Sequence, residues 1–191
     1  MAEPQTRTVS SLPGRGSRTR LREFQAGLAE RLRHAATTPS LQRRLAVRLG
    51  RDSNERNFLI DLPEAGEIIS IPEITPVPLT KTWYRGLANV RGNLVSVIDL
   101  SDFNDEGVTL LDKDSRVLAF SSGLRFNAAI LVTRMLGLRN ATQLTPFERR
   151  SQSVLAPWIG NAFQDADGIV WEELRLVALA ADERFLQIGI R

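Results

Sequence analysis

A chain of 191 residues without cysteine can bury one substantial core or two small modules, and it excludes both a disulfide framework and thiolate chemistry. Its formal charge of +3 is unevenly spread: residues 1–56 hold 12 arginines against 5 acids, a net of +7, whereas residues 57–191 carry 13 basic and 17 acidic side chains, a net of −4. No run approaches the roughly 20 apolar residues that span a bilayer, and the N-terminus opens on polar residues, so a cytoplasmic protein is expected.

Residues 1–19, MAEPQTRTVSSLPGRGSRT, have no apolar period and read as a flexible N-terminal segment. Leu21, Phe24, Leu28 and Leu32 then recur at helical spacing, which predicts an amphipathic helix. Thr38, Pro39 and Ser40 form a helix-start signal ahead of Leu41, Leu45 and Leu49, so a second short helix is expected before Gly50. Residues 20–56 are therefore read as a basic helical extension, suited electrostatically to nucleic acid, anionic lipid or an acidic protein.

From Phe58 the period changes. FLIDL and EIISI, separated by PEAG at 63–66, predict a hairpin. Pro72, Pro76 and Pro78 push the next stretch to a sheet edge or a connection. In YRGLANVRGNLVSVIDL, residues 84–100, Gly92 and Asn93 read as a corner between two apolar runs, with Arg91 projecting beside it. Arg91 suits a partner's carboxylate or carbonyls, or an internal clamp to Asp99 or Glu73. Neither alternating set of residues 94–100 is uniformly polar, as in a strand of a small closed barrel; Asp99 among them is either buried with donors or exposed at the strand end. VLAFSS and AAILVTRMLGL continue the strands, residues 140–157 read as a long connection with local helical turns, and LRLVALAADERFLQIGI as a short helix with an extended tail. No long helices separate parallel strands, which argues against a doubly wound nucleotide fold.

Catalytic, cofactor and metal signals are absent. His34 is the one histidine, placed at the end of a basic helical pattern and remote from any serine–acid pair. Glu67 and Glu73, Asp99 and Asp102, Asp112 and Asp114, and Asp165 and Asp167 match no metal-loop spacing. Glu172 and Glu173 are adjacent, so on a strand they face opposite ways. Neither GRG at 14–16 nor Gly92 sits in a phosphate loop. The residues alone thus specify a non-enzymatic interaction module; a nucleic-acid-associated small barrel is the alternative, resting on the basic N-terminal third.

The stretches EIISIPEITPVPLTKTWYRGLANVRGNLVSVIDLSDF, VLAFSS, NAAILVTRMLGL and WIGNAFQDADGIVWEELRLVALAADERFLQIG follow one another through most of residues 57–189. In this order they resemble the CheW-like chemosensory adaptor family, most closely the PilI-type adaptors of type IV pilus systems. The resemblance implies a mainly β domain over 57–189, made of two packed five-stranded barrel-like subdomains, with the N-terminal helices as additions. It implies a non-enzymatic adaptor without cofactor, coupling a chemoreceptor's cytoplasmic tip to the CheW-like regulatory domain of a histidine kinase and so controlling twitching motility. It assigns Glu73, Arg91 and Asp99 to partner contact or bracing, and Trp83, Gly86, Asn89, Gly92 and Leu100 to the structural signature. Ser96 stands where related strands often carry proline, a change expected to alter stiffness more than activity.

Overall fold

Arg43–Leu49 is a β-strand, β1, in the computed structural model, which describes residues 43–50, 54–149 and 156–190. The helix expected from Leu41, Leu45 and Leu49 is therefore overturned. A four-residue apolar interval is also a multiple of two, and within β1 it is the strand period that counts: Leu45, Val47 and Leu49 enter one core and Ala46 another. The helix expected over Leu21, Phe24, Leu28 and Leu32 lies outside the described residues.

Eleven more strands follow: β2 (Arg56–Asp61), β3 (Ala65–Ser70), β4 (Ile74–Thr75), β5 (Tyr84–Val90), β6 (Asn93–Ile98), β7 (Arg116–Phe120), β8 (Ala128–Val132), β9 (Arg134–Asn140), β10 (Thr145–Pro146), β11 (Ile159–Gln164) and β12 (Val170–Leu174). They form two six-stranded sheets, ordered β10-β11-β12-β2-β1-β9 and β4-β5-β6-β8-β7-β3. The expected five-stranded barrels are thus corrected to open six-stranded sheets, since within the described residues β9 does not pair with β10, nor β3 with β4. Closure fails where a donor is missing: β4 is two residues long between Pro72 and Pro76, and β10 is two residues long and includes Pro146.

The hairpin expected across PEAG does not form either. β2 and β3 belong to different sheets, and the turn closed by Glu64 N–H on the Asp61 carbonyl (2.9 Å) carries the chain between them. Both sheets then follow one plan: a two-residue edge, an antiparallel pair, one parallel contact (β12 with β2, β6 with β8), a second antiparallel pair and an outer edge. The second sheet is one continuous piece, β3 to β8, inserted between β2 and β9 of the first, so only the first sheet joins distant pieces of sequence. Short helices α1 (Leu100–Phe103) and α2 (Leu176–Ala180) leave β6 and β12 at equivalent places, and α3 (Glu183–Leu186) follows α2.

The main core lies between the sheets. Leu45, Phe58 and Ile60 from one meet Tyr84, Ile98 and Ile130 from the other. Trp83, Phe103 and Phe185 join them, with Trp83 edge-on to Phe103 at 4.9 Å and Phe103 edge-on to Phe185 at 5.6 Å. Val95, Val97, Val117 and Leu131 form a second cluster on the other face of their sheet, and Ala46, Leu59 and Trp171 a third. β6 is therefore covered on both faces without a closed barrel, Val95 and Val97 entering the second cluster and Ile98 the main core.

Candidate protein-docking site

The β5–β6 hairpin pairs Val90 with Asn93, so its two-residue corner is Arg91-Gly92 and not Gly92-Asn93. Both corner residues are left-handed, with φ of 50° and 87°, as the tight turn that matches strand twist demands. Asn89 Oδ1 accepts the Gly92 N–H at 2.7 Å and fixes the corner from within. Nothing lies within 4 Å of the position a Gly92 Cβ would take, so glycine serves backbone conformation there. Gly86 is different: at φ 132° its Cβ would also run into the Thr75 carbonyl, and its absence lets β4 approach β5.

The Arg91 guanidinium is 77% exposed and pairs with neither Asp99 nor Glu73; its Nη1 reaches Glu67 Oε1 at 3.0 Å. Glu67 is supplied by β3, on the opposite edge of the sheet from β4. Glu73 is exposed and has no ion pair among the described residues. Beside Glu67 opens a groove of about 330 Å³ lined by Val90, Val95, Phe120 and Phe126. Asn93, Ser121, Ser122 and Asn127 share the lining, so the arrangement offers a hollow of mixed character beside the Arg91–Glu67 pair, which suits a protein partner.

Asp99 sits away from that rim and is fully buried. As the N-cap of α1 it accepts the Asp102 N–H at 3.4 Å, and its two oxygens take the Thr109 N–H at 2.8 Å and the Thr109 hydroxyl at 2.6 Å. Arg85 Nη1 stands 3.9 Å away. Of the two sequence alternatives the buried one holds, and Asp99 is internal scaffolding for the chain after α1. Trp83 and Leu100 are buried in the main core, and Ser96 Oγ lies 3.1 Å from the Tyr84 hydroxyl.

Sequence reasoning missed an ionic junction whose members are distant in the chain. Arg56 Nε donates to Glu172 Oε2 at 2.8 Å and Nη1 to Glu106 Oε1 at 2.7 Å, while Arg149 Nε donates to the other Glu172 oxygen at 3.1 Å. Burial alone lowers the Arg56 pKa, but Glu172 and Glu106 outweigh it and hold the guanidinium above its usual range. Glu172 and Glu173 do face apart, since Glu173 pairs with Arg44 at 2.9 Å. Asp165 accepts the Trp171 indole N–H at 2.9 Å, and that bond holds its carboxyl below the ordinary 3.8. Among the described residues no His, Cys, Asp and Glu group has metal-site geometry, and His34 lies outside them.

An interaction module built of two sheets of one plan, with exposed polar corners, is the class these features define. A CheW-like domain model matches residues 45–184, and the chain belongs to that family of non-catalytic chemosensory adaptors. Protein PilI of Pseudomonas aeruginosa is 31% identical over 141 residues, spanning 71% of this chain and 75% of that protein. In fold the chain is similar to the scaffolding protein TtCheW from Thermoanaerobacter tengcongensis, with a TM-score of 0.58 at 18% identity over 71% of this chain and 91% of that one.

Proposed function

We propose that this adaptor couples a chemoreceptor's cytoplasmic tip to the CheW-like regulatory domain of a chemotaxis-type histidine kinase, in a system that controls type IV pilus twitching motility. The similarity to Protein PilI carries this reading. In it the protein is cytoplasmic and reaches membrane-bound receptor arrays through its partners; among the described residues no helix is long and apolar enough to cross a membrane. Arg91 and Glu73 act at the rim of a partner contact, with the groove beside Glu67 taking apolar side chains. The basic N-terminal segment adds an electrostatic contact to the same assembly.

Purified receptor tip and kinase regulatory domain test the reading directly: each is expected to bind the full chain, and Arg91→Ala is expected to weaken one of the two contacts selectively. Unchanged affinity for both partners would remove Arg91 from the contact. Salt-sensitive binding of nucleic acid, with neither protein bound, would favour the nucleic-acid alternative.

A further inference from the structure

Glu67 stands where β3 breaks register with β7. Ala65 lies opposite Phe120 and Ile68 opposite Leu118, so three steps along β3 answer two along β7, and the extra residue makes a bulge. Gly66 belongs to it, since a Cβ there would stand 2.5 Å from the Phe120 carbonyl oxygen. Bulges re-aim side chains, and from this one Glu67 Oε1 reaches Arg91 Nη1 at 3.0 Å.

The pair so made is loosely held. β3 pairs with neither β5 nor β6, so opening it breaks no ladder between the strands that carry it. Both side chains are exposed, Arg91 to 77% and Glu67 to 41%, and ion pairs in that setting contribute little. Glu67 Oε2 is shut off from solvent yet has no hydrogen-bond partner among the described residues, which leaves the carboxylate half satisfied where it stands. A guanidinium can grip both oxygens of a carboxylate at once; here the second oxygen goes without a donor, and Arg91 forms no other ion pair among the described residues.

We infer that Glu67 is a placeholder on Arg91, exchanged for a carboxylate of the partner protein when the corner docks. This rests on the coupling function proposed above and narrows it: the group that meets Arg91 is an aspartate or glutamate side chain and not a main-chain carbonyl, because the group Arg91 holds in the free chain is itself a carboxylate. The exchange replaces a one-oxygen contact by a two-pronged one and returns both Glu67 oxygens to water.

Calorimetric titration of the full chain with the kinase regulatory domain, and separately with the receptor tip, tests this in the parent, Glu67→Gln, Arg91→Ala and the double variant. Glu67→Gln keeps the size of an edge-strand side chain, and urea unfolding checks that the variant is folded. For the partner whose binding Arg91→Ala weakens, Glu67→Gln is expected to tighten binding about two- to fivefold, the reach of an exposed ion pair. In the Arg91→Ala background there is nothing to release, so the gain is expected to fall to the small long-range effect of one lost negative charge. A Glu67→Gln protein that binds no more tightly than the parent, or gains equally with and without Arg91, overturns the inference and leaves the coupling function standing. So does an Arg91→Ala protein that binds both partners unchanged, whereas a parent chain that binds neither partner overturns both.

Discussion

Arg91 and Asp99 close the same signature yet do opposite work. The Arg91–Glu67 pair is largely in water, where such pairs contribute about 0–1 kcal/mol, so Arg91→Ala is expected to leave urea unfolding within about 0.5 kcal/mol of the parent. Arg91→Gly should be neutral or stabilising, because its φ of 50° costs a non-glycine residue roughly 1 kcal/mol. A large loss in either variant would make Arg91 a structural clamp. Asp99→Ala removes a cap and strands the buried Thr109 donors, an expected cost of about 2–4 kcal/mol by the same measurement; a loss below about 1 kcal/mol would contradict that role. Asp165 supplies a pH test. Its folded pKa is lowered below 3.8 mainly by the Trp171 bond, so its contribution is present above that value and is lost as pH falls through the folded one. Asp165→Asn should therefore flatten the acid limb of a melting-temperature profile relative to the parent; an unchanged limb would count against the bond.

Several strands were legible as strands, though β1 read as a helix, and sheet neighbours beyond the β5–β6 corner were not. Short runs rich in isoleucine and leucine in FLIDL and EIISI, and the apolar run LVSVIDL, marked β2, β3 and β6. Pairing depends on what lies across the sheet, and nothing local in PEAG distinguishes a hairpin from a crossover. The same limit hid Glu67 as the partner of Arg91, and Glu64 as the cap of α2. Arg175 at that helix start makes no side-chain cap bond, and Glu64 Oε2, 112 residues away, accepts the Leu176 N–H at 2.6 Å instead. The resemblance placed Gly86 in the structural signature without its role, which is a close approach between strands. Gly86→Ala is expected to cost at least about 2 kcal/mol and to free β4 from β5; amide exchange at Ile74 and Thr75 reports the detachment, and unchanged protection would contradict it.

At the scale of the whole molecule, insertion of the β3–β8 sheet between β2 and β9 is what ties the described residues into one body. β1 and β2 are held in a sheet completed by β9 to β12, so among the described residues the body starts at β1 and a cut at residue 56 removes a strand flanked on both sides. Deleting residues 1–42 is expected to leave cooperative unfolding intact, whereas deleting 1–56 should abolish it; calorimetry separates the two. The corner at Gly92 could be read from the sequence, one residue out of register, because it is a local pattern. The groove and the Arg56–Glu172–Arg149 junction could not, since the members of each meet only after strands distant in the chain pair within a sheet. The central claim is that this body holds two partners at once. Analytical ultracentrifugation of the full chain with a soluble receptor tip and the kinase regulatory domain tests it most directly. The account predicts a ternary complex that forms only when this chain is present; folded components that sediment separately in its presence would contradict it.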